Sequence, residues 1–129
     1  MIKILIADDF ALLREDICDT LNAQEDMQVV GTAESGAQAE KLAAETDYDV
    51  ILMDIRMPVM DGLAATRCIR ESDHPDSRTV PIVAMTANVF EEDVKKSFDA
   101  GMNAHLSKPV DIKQMYAVLD ELVNGDGLL

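Results

Sequence analysis

The chain lacks what a membrane-spanning or secreted protein would need. No apolar run approaches the ~20 residues required to cross a bilayer. The first residues carry one lysine, Lys3, and no signal-peptide cleavage pattern. A cytoplasmic location with no membrane contact is therefore expected. Cysteine is scarce: Cys18 and Cys68 lie far apart in helical patterns, with no Cys-x-x-Cys or ligand spacing. They read as two reduced, largely buried thiols and not as a disulfide or a metal site. Basic residues are few, 11 against 25 acidic, for a formal charge of −14. Phosphate contacts need clustered Lys and Arg, so direct nucleic-acid binding by this chain is not expected. There is no internal repeat and no low-complexity segment. Most of the excess acid reads as solvated surface, which leaves open a site that gathers carboxylates around a cation.

Against these absences stands a composition that is 48% hydrophobic over 129 residues, enough for one folded domain with a single core. Residues 2–7 (IKILIA) read as a first strand ending in Asp8-Asp9. A helix follows with Leu13, Ile17 and Leu21 on one stripe. Residues 27–33 (MQVVGTA) are a second strand, and 36–45 a helix turned inward on Ala39, Leu42 and Ala43. Val50 to Met53 is an apolar run too short for a helix, and it ends in one carboxylate, Asp54. Such a run reads as a strand buried on both faces. A third helix covers about 61–70, opened by Asp61-Gly62. A polar loop holding His74 as a solvated residue leads to a fourth strand, 81–86, ending in Thr86. A fourth helix covers about 90–100, with Val94 and Phe98 one turn apart and Gly101 as its stop. A short strand at 104–107 ends at Lys108-Pro109. The last helix starts near Asp111 and turns Met115, Val118, Leu119 and Leu122 inward.

Five strands alternating with five helices predict a parallel α/β sheet covered on both faces. The leading arrangement is a doubly wound, flavodoxin-like sheet of order 2-1-3-4-5. That order puts Asp8, Asp9, Asp54, Thr86 and Lys108 at four neighbouring strand ends, along the edge where ligands sit in open α/β sheets. Taken alone, each of these residues says little; Asp54 by itself could be a turn former. Together they describe a site. Two carboxylates ~4 Å apart repel by about 4 kcal/mol at an effective dielectric near 20. Lys108 offsets part of this repulsion and a hard divalent cation would offset more. All-oxygen ligation suits Mg²⁺. A carboxylate beside Mg²⁺, a hydroxyl and an ammonium suits phosphoryl transfer, with Asp54 attacking in line. An internal salt bridge between Lys108 and a carboxylate is the structural alternative, which explains the charges but not the hydroxyl.

The segments LIADDF, VILMDIRMPVMDG, VPIVAMTAN and HLSKP together resemble a response-regulator receiver domain of two-component signalling, over essentially the whole chain. The 2-1-3-4-5 order is the known order of the chemotaxis regulator of that family and is carried over from the resemblance. The resemblance implies that Asp54 is the phosphoacceptor, taking a phosphoryl group from a histidine kinase or a histidine phosphotransfer protein. It implies Mg²⁺ held by Asp8, Asp9, Asp54 and the backbone carbonyl of Arg56, with Thr86 and Lys108 contacting the phosphoryl group. Pro58, Gly62 and Pro109 would be structural, and the Lys108-Pro109 bond cis. His105 falls at the family's switch position, where Tyr or Phe is frequent. Arg56 and Asn88 fall at positions that tune phosphoryl lifetime. The receiver would occupy 1–124, with 125–129 a linker or ragged end. It would catalyse only its own phosphorylation and dephosphorylation, and switch the face of the fourth helix, fifth strand and fifth helix to control an output.

The alternative is a small Mg-dependent phosphatase or phosphotransferase of the haloacid-dehalogenase type. Those enzymes have a D-x-D pair and usually a cap domain, whereas here the acidic pair is adjacent and the chain leaves no room for a cap. A flavin carrier would need a phosphate cradle where Asp8-Asp9 stand. The output partner is open: the opening stretch resembles receivers attached to helix-turn-helix factors, and AGMNAHLSKP resembles receivers of hybrid histidine kinases.

Overall fold

The computed structural model describes residues 1–57, 60–72, 79–86, 91–108 and 110–124. Five strands, β1 (Ile2–Ala7), β2 (Met27–Ala33), β3 (Val50–Asp54), β4 (Ile82–Thr86) and β5 (Ala104–Ser107), alternate with five helices. These are α1 (Ala11–Asn22), α2 (Gly36–Glu45), α3 (Gly62–Glu71), α4 (Glu91–Ala100) and α5 (Ile112–Asn124). The strands form one sheet of order β2-β1-β3-β4-β5, as expected, and every pairing is parallel.

Successive strand residues point to opposite faces, and both faces are buried. Ile4, Ile6, Leu52, Val83, Met85 and Leu106 pack with Ile17 and Leu21 of α1 and Met115 and Leu119 of α5. Leu5, Ala7, Ile51, Met53, Ile82 and Ala84 pack with Ala39 and Ala43 of α2 and Ala65 and Ile69 of α3. Apolar runs without polar alternation are what such a two-sided core requires. All five residues of β3 and of β4 are buried, including the terminal Asp54 and Thr86.

Caps place the helix starts. Asp61 accepts from Ala64 N–H at 2.8 Å and Asp111 from Gln114 N–H at 3.1 Å, so both stand just outside their helices. At the end of α4, Gly101 has φ +110°. Its N–H donates to Phe98 O and that of Met102 to Ser97 O, each at 3.0 Å, the paired bonds of a glycine-terminated helix. Within α4 the Val94–Phe98 line divides: Val94 is half-buried and Phe98 turns outward. Phe98 is 49% exposed, while Ser97 and Ala100 are buried. Two apolar positions four apart define a stripe but not which side meets the sheet, and here small residues make the close approach.

Arg70 ties the bottom of the sheet together. Its Nε and Nη2 donate to Gly101 O at 3.0 and 2.7 Å, Nη1 donates to Val80 O at 2.7 Å, and Nη2 also reaches Asn103 Oδ1 at 2.8 Å. Cys18 and Cys68 are free and partly buried, and burial pushes both thiols upward in pKa. Among the described residues no helix is long and apolar enough to cross a membrane. The expectations for Pro58, His74, Asn88, Phe90, Pro109 and 125–129 fall outside the described residues.

Candidate functional site

The sheet order brings the ends of β1 and β3 side by side, with Ala7 opposite Met53. Asp54 in turn lies opposite Met85, and Thr86 opposite Ser107. The acidic pair, Asp54, Thr86 and Lys108 therefore share one edge. Asp8, Asp9 and Asp54 each offer a carboxylate oxygen, and these oxygens all lie within 4.8 Å of one another. Asp8 is fully buried and Asp54 5% exposed, whereas Asp9 faces solvent.

Lys108 enters this cluster from the β5 side. Its Nζ stands 2.9 Å from Asp8 Oδ2 and 3.2 Å from Asp54 Oδ2, so the salt bridge weighed as a structural alternative does form, with two carboxylates at once. Its backbone N–H donates to Thr86 O at 2.8 Å, which ties the residue after β5 to the end of β4. Asp54 Oδ1 accepts from Arg56 N–H at 3.2 Å, and Asp8 Oδ1 from Phe10 N–H at 2.9 Å. Thr86 is buried at the end of β4. His105 lies within β5 opposite Ala84, half-buried. Gly62 lets α3 start against β3: its N–H donates to Ile55 O at 2.9 Å, and a Cβ there would overlap the Asp54 carbonyl.

The electrostatics are unbalanced, since one ammonium faces three carboxylates. Burial, and then the charge of Asp8, push the Asp54 carboxyl up to about 6, although Lys108 and the Arg56 N–H pull the other way. Burial opposes the charged form of Lys108, yet contact with Asp8 and the charges of Asp54 and Asp8 outweigh it and raise its pKa. Asp8 Oδ2 is buried with Lys108 at ion-pair distance, but that contact is not directed as a hydrogen bond. An under-satisfied buried oxygen, two further carboxylates and one solvent-facing side fit a hard cation that keeps some of its water.

Sequence reading missed one contributor. Arg14, in α1, donates from Nη1 to Asp8 O at 2.7 Å, with Nη2 3.4 Å from Glu34 Oε1. A cation six residues beyond an acidic strand end was the available signal, but its target is a main-chain carbonyl, which no spacing reveals.

Fold and site together define a doubly wound α/β domain with an acidic, lysine-bridged pocket at the carboxyl ends of its strands. The chain belongs to the response regulator receiver domain family, whose model matches residues 4–120. It is 37% identical over 92 residues to a probable histidine kinase 2 of Oryza sativa subsp. indica, covering 71% of this chain and 9% of that one. It is 41% identical over 112 residues to protein-glutamate methylesterase/protein-glutamine glutaminase 4 of Geobacter metallireducens, covering 84% of this chain and 31% of that one. The chain thus spans a third or less of the length of these curated relatives. Among solved structures it is similar to the receiver domain of sensor histidine kinase PA1611 from Pseudomonas aeruginosa. The TM-score is 0.84, identity is 36%, and the match covers 94% of this chain and 96% of that one; that structure holds a magnesium ion coordinated in its active-site cleft. The haloacid-dehalogenase alternative finds no support in these relatives.

Proposed function

We propose that Asp54 is the phosphoacceptor of a two-component phosphorelay, charged by a histidine kinase or a histidine phosphotransfer protein. The observation that carries this reading is the placement of Asp54: 5% exposed at a strand end, within carboxylate reach of Asp8 and Asp9 and bridged by Lys108. An Asp54 oxygen attacks phosphorus in line, an acyl phosphate forms, and the bond to the donor imidazole breaks with its electron pair leaving on nitrogen. Lys108 and the Thr86 hydroxyl contact the equatorial oxygens. Mg²⁺, held by Asp8, Asp9, Asp54 and the Arg56 carbonyl, supplies charge neutralisation when bound. The chain catalyses its own phosphorylation and dephosphorylation, acts in the cytoplasm, and comprises the receiver unit 1–124, with 125–129 a linker or ragged end. Phosphorylation biases the α4–β5–α5 face, with His105 at its switch position, towards an output partner.

Acetyl phosphate with Mg²⁺, followed by mass spectrometry, tests the assignment. One phosphoryl group is expected on Asp54 and none after Asp54→Ala; labelling that persists in full in that variant removes Asp54 from the role. The switch is read by amide hydrogen exchange over 94–122 with and without beryllofluoride. A change is expected in the parent and not in Thr86→Ala.

A further inference from the structure

The segment that presents the acidic pair is held at several points, with Arg14 N–H donating to Phe10 O at 3.0 Å and Lys108 Nζ 2.9 Å from Asp8 Oδ2. Asp8 N–H donates to Ala33 O at 3.0 Å, Phe10 N–H closes back on Asp8 Oδ1 at 2.9 Å, and Arg14 Nη1 donates to Asp8 O at 2.7 Å. Arg14 supplies the side-chain donor that grips this main chain from outside the segment. Its side chain is 11% exposed, wedged between the β1–α1 connection and Glu34 just beyond β2. Asp9 is exposed, and among the described residues no hydrogen bond or ion pair fixes its carboxylate. The Asp8–Asp9 peptide, whose carbonyl is the group that Arg14 holds, therefore sets where the Asp9 side chain starts out. A guanidinium can do this while meeting Glu34 because its donors form a rigid fork; a lysine ammonium is a single point.

We propose that Arg14 is a positioning residue for the cation, holding the Asp8–Asp9 peptide so that both carboxylates turn into the site. The proposal rests on the receiver reading above, and its sign separates it from plain electrostatics. Arg14 is a positive charge near an acidic cluster, so its removal by charge alone would tighten cation binding. Loss of positioning weakens it.

The test compares the parent chain with Arg14→Met and Arg14→Lys. Mg²⁺ affinity is measured by isothermal titration calorimetry, and Phe10 amide exchange in metal-free protein by NMR. Removing an outer support of a metal ligand lowers affinity about 10-fold or more, so Arg14→Met should raise the Mg²⁺ Kd about tenfold. Phe10 exchange should speed up before any metal is added, and Arg14→Lys should fall between Met and the parent. A Kd within twofold of the parent, or a tighter one, in folded Arg14→Met overturns the proposal; Arg14→Lys serves the same comparison if the Met variant does not fold. A parent chain that binds no Mg²⁺ would instead fell the Mg²⁺-assisted phosphoacceptor function proposed above, and the proposal with it.

Discussion

Asp54→Asn should make the metal-free protein more stable at neutral pH, although it removes the residue placed at the centre of the chemistry. In the fold the Asp54 carboxyl titrates near 6, against 3.8 for a free aspartate. The cause is burial first and the neighbouring Asp8 second. The rise from 3.8 to about 6, at about 1.36 kcal/mol per tenfold change in proton affinity, gives at most about 3 kcal/mol for keeping Asp54 ionised in the fold. Between these two pKa values the folded chain holds the proton more tightly than the unfolded chain. Stability from this group is therefore complete below pH 3.8, falls as pH rises towards 6, and stays low above it. An asparagine keeps the shape, cannot ionise, and escapes that loss.

Urea denaturation followed by circular dichroism in EDTA reads the effect at pH 4, 5, 6 and 7.5. With a urea slope of about 1–3 kcal/mol per M, that ceiling allows the Asn variant's midpoint to exceed the parent's by up to about 1–3 M at pH 7.5. The two midpoints should converge as pH approaches 4. Saturating Mg²⁺ should recover the parent selectively, because a ligand that binds only the folded state stabilises it by mass action. A midpoint difference that does not change with pH would mean that Asp54 carries no electrostatic strain. Loss of stability in the Asn variant at pH 7.5 would mean that the Lys108 contact outweighs burial and Asp8. Either result refutes the reasoning.

Gly62→Ala should destabilise the chain by several kcal/mol, on the order of other severe backbone overlaps, because its Cβ would meet the Asp54 carbonyl, which is main chain and cannot step aside; thermal melts with and without Mg²⁺ should show loss of both midpoint and metal response. Arg70→Met should cost about 3 kcal/mol by leaving the Gly101 and Val80 carbonyls short of their donors. Chemical denaturation would show it, and Arg70→Lys should recover only part, since one ammonium cannot reproduce three donating nitrogens.

Strand positions and the carboxylate cluster were legible because the same physics writes both. A strand buried on two faces needs an unbroken apolar run, and the first ionisable residue after that run marks the sheet edge; Met53-Asp54 and Ala7-Asp8 are such boundaries. The sheet order came from family resemblance, since periodicity does not rank parallel neighbours. The two arginine anchors were not legible. Arg14 and Arg70 both end on main-chain carbonyls, of Asp8 and of Gly101 and Val80. Every residue carries a carbonyl, so no side-chain pattern marks the target. The face of α4 was only partly legible for a different reason: among its described side chains Val94 is half-buried, but the buried ones are Ser97 and Ala100, neither of which a hydropathy stripe selects.

The geometry also bears on how the proposed switch divides its work. Lys108 already touches Asp8 and Asp54, at 2.9 and 3.2 Å. A phosphoryl group on Asp54 therefore finds the ammonium in place, and most of that contact exists in both states. A group can shift an equilibrium only by what it gains in one state over the other. Moving a population from 1:99 to 99:1 takes about 5.5 kcal/mol, and one charge-assisted hydrogen bond supplies about 1.5–3 kcal/mol. Relief of the strain on Asp54, at most about 3 kcal/mol by the pKa argument above, is open to any bound cation as well as to phosphorylation, so it does not discriminate between them. The discriminating part must come from contacts made only by the phosphoryl oxygens, and the function proposed above assigns one of these to the Thr86 hydroxyl. Its carbonyl is bonded to Lys108 N–H at 2.8 Å, so displacement at the end of β4 is passed directly to the start of the β5–α5 connection. On this division Lys108 holds the site together in both states, and Thr86 carries the difference between them.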